Sequence, residues 1–160
     1  MDSGGGSVFR TYEPRDAEAV CQLHREGLRD THSVVVPRQS AWDDDVRNVE
    51  DHYLAEGSHF WVVEEAGRII GMAAVRRLGP GAAELKRMRV AGDRRGRGLG
   101  QRLLGLAEEF CRTQGYGRIV GDTTDRMEAA RRLYEKNGYT LTHEMPLGSL
   151  RIYYYAKELV

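Results

Sequence analysis

The residues best suited to chemistry run Arg94-Arg95-Gly96-Arg97-Gly98-Leu99-Gly100-Gln101. They follow an alternating, strand-like segment, Ala83–Val90, and a short turn. They lead directly into a helical pattern with Leu99, Leu103, Leu106, Ala107 and Phe110 on one face. Glycines let the backbone turn tightly and let a ligand approach it closely. The first N–H groups of a helix lack intrahelical partners, and the helix dipole favours an anion there. Arg94, Arg95 and Arg97 add mobile positive charge at the same point. The combination reads as a pyrophosphate cradle. A Walker A loop needs Gly-Lys-Ser/Thr, which is missing, and a dinucleotide fingerprint needs G-x-G-x-x-G where this loop has G-x-G-x-G in mid-chain.

Arg95-x-x-Gly98-x-Gly100 resembles the Q/R-x-x-G-x-G/A signature of the GNAT N-acetyltransferase superfamily. A later segment, Ala130-Arg131-Arg132-Leu133-Tyr134-Glu135-Lys136-Asn137-Gly138-Tyr139, resembles that family's A-x-x-L-Y-E-K-x-G-F/Y ending. The order of elements matches from Val8 to Lys157. The resemblance implies acetyl-CoA as co-substrate, with its pyrophosphate held by Arg95, Gly96, Arg97, Gly98, Leu99, Gly100 and Gln101. It also implies a splayed pair of strands. There the backbone of Met88, Arg89 and Val90 pairs with the pantetheine arm like an added strand and polarises the thioester carbonyl.

Acetyl transfer from a thioester to an amine needs a neutral amine, a stabilised oxyanion and a protonated leaving thiolate. The resemblance makes Tyr134 the candidate acid, since a phenol holds its proton at neutral pH. It makes Glu84, on the strand entering the loop, the candidate base, with His59, His143 and Asp122 as weaker alternatives. Both residues also have plain readings: Tyr134 as a core aromatic on the face of Met127 and Ala130, Glu84 as a strand charge paired with Lys86 or Arg87. The chain departs from the family pattern at Gly92, where proline is common, and at Met127, where asparagine is common. The polar contact to the cofactor is then either missing or supplied by Thr123, Thr124 or Asp125.

The elements that must position these groups are legible from periodicity. Val8–Tyr12 alternates like a strand, and Arg15–Leu28 repeats like a helix. Asp43 opens a second helix carrying Val46, Val49 and Tyr53. His59–Glu64 and Arg68–Arg77 read as a hairpin, and the second is apolar on both faces. On Ala83–Val90, Leu85, Arg87 and Arg89 share one parity, and Glu84, Lys86, Met88 and Val90 the other. Arg118–Asp122 is a strand, Met127–Asn137 a helix, and Tyr139–His143 and Arg151–Lys157 the closing strands. The fold class is α/β (α+β): one domain over residues 8–160, with a mixed, mostly antiparallel sheet of about six to seven strands and about four helices.

Composition narrows the function classes. The chain has 160 residues, with 24 Lys+Arg against 24 Asp+Glu. Neutral balance argues against a general nucleic-acid coat or a polybasic membrane binder. No stretch approaches the roughly 18 apolar residues of a spanning helix. Cys21 and Cys111 lack metal or disulfide spacing, so no metal is expected. Residues 1–7 carry no secretion signal and read as a flexible tail, and the cytoplasm is the expected location.

Charge divides locally. Glu84–Arg102 holds seven basic and two acidic residues, whereas Asp43–Glu56 holds six acidic and one basic. Asp43, Asp44, Asp45, Glu50 and Asp51 read either as a helix start with favourable first-turn charge or as an attractor for a cationic amine. Trp42, His32, Tyr53, Trp61 and Tyr153–Tyr155 read either as core or as pocket lining. A primary amine acceptor is implied, with a homodimer among the possible assemblies. A non-catalytic acyl-CoA-binding module is the alternative.

Overall fold

Consecutive side chains on a strand face opposite ways, and the second strand shows what each side meets. In this computed structural model, which describes residues 6–30 and 44–159, Phe60 packs on Tyr12 and Tyr53 while its neighbour Trp61 packs edge-on against Phe110. The two faces of the sheet therefore carry separate helical layers.

The elements run β1 (Val8–Thr11), α1 (Ala17–Asp30), α2 (Asp44–Arg47), α3 (Val49–Tyr53), β2 (His59–Glu65), β3 (Arg68–Gly79) and β4 (Ala82–Val90). They continue with α4 (Leu99–Thr113), β5 (Arg118–Thr124), α5 (Glu128–Lys136), β6 (Thr140–Leu147) and β7 (Leu150–Glu158). A 3-10 turn at Pro14–Asp16 leads into α1. Among the described residues five α-helices thus flank seven strands. The helix expected from Asp43 onward is two short helices separated at Asn48, whose side chain bonds back to Asp44 and competes with continuation of the helix. The tail residues 1–5 and the segment 31–43, with His32, Trp42 and Asp43, lie outside the described residues.

The sheet order is β1-β2-β3-β4-β5-β7-β6. Every neighbouring pair is antiparallel except β4–β5. β3 is buried on both faces from Ile70 to Val75, as its uninterrupted apolar run requires. α1 and α4 both pack on β3 and β4. Leu103 and Leu104 of α4 are fully buried, each contributing about 2 kcal/mol. Cys21 and Cys111 are not joined in a disulfide.

The functional consequence lies in the one parallel pair. β4 and β5 are in register only at Ala82–Glu84 against Arg118–Val120. β4 then runs on to Val90 and β5 to Thr124 without pairing, so the sheet opens into a splay beyond Glu84.

Candidate active site

β4 enters the splay through a bulge. Against β3 its register passes from Ala74↔Lys86 to Met72↔Arg89, so Arg87 and Met88 together face Ala73. Arg87 sits in the left-handed region at φ +55°, unusual for a side chain of its size. A bidentate ion pair holds it there: Arg87 Nε donates to Asp45 Oδ2 at 2.9 Å and Nη2 to Oδ1 at 2.8 Å. The Tyr53 hydroxyl donates to the same carboxylate. Burial pushes the Asp45 carboxyl up, but the hydrogen bonds and charge of Arg87 outweigh it and hold the pKa at about 2. Asp45 is therefore already neutralised and is no free attractor for an amine. The bulge also overturns the expected alternation. Arg89 continues the face of Glu84 and Lys86, and Val90 that of Leu85.

Beyond the bulge a cavity of about 860 Å³ opens between the end of β4, the arginine-glycine loop and the first turns of α4 and α5. Met88, Arg89, Val90, Arg95, Gly96, Gly98, Leu99 and Gly100 line it, as the sequence leads one to expect. Gly96 and Gly98 have φ of +78° and +80°, and a Cβ on either would meet nothing within 4 Å. Gly98 is the N-cap of α4, and no side chain caps that helix. The N–H groups of its first turn thus face a concavity with room for an anion. The residues fit a pyrophosphate.

Two expected residues stand elsewhere. Arg97 is exposed and outside the cavity lining, and Gln101 exchanges amide hydrogen bonds with Asn137 at 2.8 and 2.9 Å, locking α4 to α5. The charge of Arg94 is not mobile: its Nε donates to Glu65 at 2.7 Å and its Nη1 to Asp93 at 3.1 Å. Arg95 Nε donates to the Val90 carbonyl at 3.3 Å, tying loop to strand.

The cavity also uses residues that the motifs do not mark. Gly27 of α1 lines it, and a Cβ there would come within 2.8 Å of Arg89 Cδ. A glycine inside a helical pattern is the signal available for such a close approach. Met127 lines the wall with its sulfur 4.0 Å from Arg89 Nη1. Of the three candidates to replace the missing asparagine, Asp125 alone reaches the cavity. Thr124 Oγ1 accepts the Arg126 N–H at 3.3 Å, and Thr123 is buried.

Tyr134 and Glu84 stand at the branch of the splay and not in the cavity lining. Tyr134 is buried, its ring packed on Tyr155 at 5.2 Å and Tyr139 at 5.1 Å. Its hydroxyl lies against Gly121, the residue after the last β5 position paired to β4. Burial, aided by the charges of Asp122 and Glu84 and opposed by that of Arg89, pushes the phenol pKa up. Its proton is held at neutral pH. Glu84 is the last β4 residue paired to β5, and its Oε1 accepts from Arg76 at 2.8 Å, with Lys86 at 3.9 Å.

The alternative bases separate. His59 packs between Trp61 and Phe110 and bonds to Thr11 on the far side of the sheet, and burial lowers its pKa. His143 stacks on Tyr154 at 4.2 Å, away from the branch. Asp122 lies on β5 beyond its pairing with β4 and is still paired to Tyr154 of β7. Tyr53, Trp61 and Tyr155 belong to the core. Among the described residues no group of three or more His, Cys, Asp or Glu could hold a metal ion.

Comparison with known proteins bears on the family and the fold. Residues 18–139 match the family model described as Acetyltransferase (GNAT) family. N-acetyltransferase 8 of Mus musculus is 33% identical over 106 residues, covering 62% of this chain and 47% of that protein. N-acetylaspartate synthetase of Xenopus tropicalis is 35% identical over 97 residues, covering 59% of this chain and 36% of the relative. The chain thus spans less than half the length of either relative. A GNAT-family acetyltransferase from Staphylococcus aureus MU50 superposes with a TM-score of 0.85 at 22% identity, covering 97% of this chain and all of that one. The yncA protein of Salmonella typhimurium, solved with its cofactor acetyl-CoA, superposes with a TM-score of 0.79 at 22% identity, covering 96% of this chain and 94% of that one.

Proposed function

The chain belongs to the GNAT acetyltransferase family, and from that premise we propose that it moves an acetyl or short acyl group from acyl-CoA to a primary amine by direct attack in a ternary complex. The observation that carries the reading is the cavity beside the splay, with its open cradle at Gly96–Gly100 and its unpaired β4 edge. Acetyl-CoA, when bound, supplies the activated thioester. The first-turn N–H groups of α4 and the Arg95 guanidinium hold the pyrophosphate. The backbone of Met88, Arg89 and Val90 pairs with the pantetheine arm, and an N–H there takes the developing charge of the thioester oxygen.

Glu84 takes a proton from the ammonium form of the acceptor, directly or through water. The amine nitrogen bonds to the acyl carbon, the carbon–sulfur bond breaks, Tyr134 gives its proton to the departing thiolate, and the surplus proton on the nitrogen passes to solvent. Solvent restores both groups. The relatives' names direct the choice of acceptor: one makes N-acetylaspartate, an acetylated amino acid. An amino acid is accordingly the first acceptor class to test. A cytoplasmic location and a homodimer belong to the same proposal. The face offered for the homodimer is β6, exposed throughout.

The test is release of free thiol from acetyl-CoA against amino acids, simple amines and N-terminal peptides. One acceptor class should give turnover well above hydrolysis. Y134F should lower kcat by about a hundredfold, with E84Q acting in the same direction. If acetyl-CoA raises the melting temperature but no amine is acetylated, the chain is a binding module and not a catalyst; if both variants transfer at the wild-type rate, neither Tyr134 nor Glu84 carries the proton transfers.

A further inference from the structure

Gly121 has no backbone reason to be glycine. It lies inside β5, pairs with Tyr155 in an antiparallel ladder, and is not among the glycines with positive φ. Alanine or serine would fit such a backbone, and glycine in a strand interior costs stability. The side of β5 from which its Cβ would project is occupied by another residue. A Cβ on Gly121 would fall 2.7 Å from the Tyr134 hydroxyl oxygen, 3.1 Å from Cζ and 3.4 Å from Cε1. Real Cβ atoms do not approach that closely, so either the strand or the phenol must move.

The phenol has little room to retreat. Its ring is held between Tyr155 and Tyr139. Its helix is pinned to α4 by the reciprocal Gln101–Asn137 amide bonds and is closed by the Tyr139 N–H to Tyr134 carbonyl bond. A methyl group on β5 would therefore displace the hydroxyl end of Tyr134. Gly121 follows Val120, where β4 and β5 part. The space it leaves lets the hydroxyl reach the base of the splay, within the fields of Glu84, Asp122 and Arg89.

We propose that Gly121 is a positioning residue for the transfer reaction: by lacking a side chain it forms the slot that delivers the Tyr134 hydroxyl to the branch of the splay. This rests on the reading of Tyr134 as the acid. Gly121 touches no reacting atom, and its effect passes through the phenol.

The experiment compares G121A, Y134F and the double variant with the wild-type chain. Thermal melting is measured without ligand, and kinetics are measured with acetyl-CoA and the best amine of the thiol-release panel. G121A should lower the melting temperature when Tyr134 is present and lower it far less in the Y134F background, where the clashing oxygen is gone. In turnover G121A should lose most of the roughly hundredfold that Y134F loses, with KM for acetyl-CoA within about twofold of wild type. The double variant should be no slower than Y134F. Additive melting losses, or a double variant slower than both parents by the product of their effects, overturn the proposal. An impaired Y134F beside an unimpaired G121A overturns it alone, whereas a Y134F variant with wild-type kcat overturns the acid reading on which it rests. Should G121A fail to fold, recovery of a folded protein in the double variant supports the slot, and failure there too overturns it.

Discussion

The two walls of the splay are built from opposite materials. The β4 wall is shaped by charge and strain: a buried carboxylate 42 residues earlier grips Arg87 and holds it at a positive φ. The β5 wall is shaped by volume: three tyrosine rings pack together, and a glycine leaves room for the hydroxyl of one of them. The first wall supplies backbone groups that must face a ligand, so the chain has to be bent away from its ladder and kept bent. The second supplies a side chain at one point, and packing without charge suffices.

The largest expected effect is on the charged wall. D45N keeps the shape of the side chain and removes the charge that Arg87 grips, and loss of one partner from a buried pair costs about 3–5 kcal/mol. Thermal or denaturant melting checks it, and a loss below about 1 kcal/mol would show that the bulge stands without the pair. The same group sets an acid limit. The folded carboxyl sits at about 2 against an ordinary 3.8, so it binds its proton less readily than in the unfolded chain. Its contribution is complete above the ordinary value and is lost as pH falls through about 2. D45N should flatten melting temperature against pH across that window.

A smaller effect separates strain from charge on this wall. R87A and R87G both lose the ion pair, but only glycine occupies the left-handed region without steric cost. R87G should therefore be more stable than R87A by about 1–2 kcal/mol, although glycine also loosens the unfolded chain. Equal stabilities would mean that the bulge relaxes once Asp45 lets go, and that the ion pair alone imposes the conformation.

This division also explains what the sequence discloses. The cradle is local: Arg95, Gly96, Gly98 and Gly100 lie within one turn and one helix start, so spacing alone exposes them. Strand β3 is legible because burial on both faces demands an uninterrupted apolar run. The bulge is not legible. Arginine has no intrinsic preference for positive φ, and the cause lies in Asp45, far away in sequence. Asp45 itself is buried beside the exposed Asp44, so its role cannot be separated from its neighbour's by composition. Arg94 misleads for a related reason, because its partner Glu65 belongs to another strand. Gly27 and Gly121 do leave a trace, each a glycine where propensity disfavours one, but the trace does not name the side chain that needs the room.

The smallest effect should have the opposite sign, and it tests the uncharged wall. Thr123 lies two residues beyond Gly121, and its Oγ1 is buried with no hydrogen-bond partner among the described residues. It is also outside the cavity lining, so no contact with the cavity compensates it. A buried hydroxyl without a partner has lost its hydration and gained nothing in exchange. Valine has the same branched shape and suits a strand. If the β5 wall works by volume alone, T123V should raise stability by about 1 kcal/mol and leave turnover and the acetyl-CoA melting shift unchanged. If T123V instead lowers kcat with stability preserved, the hydroxyl is recruited when ligands bind, and the β5 wall also works through a polar group.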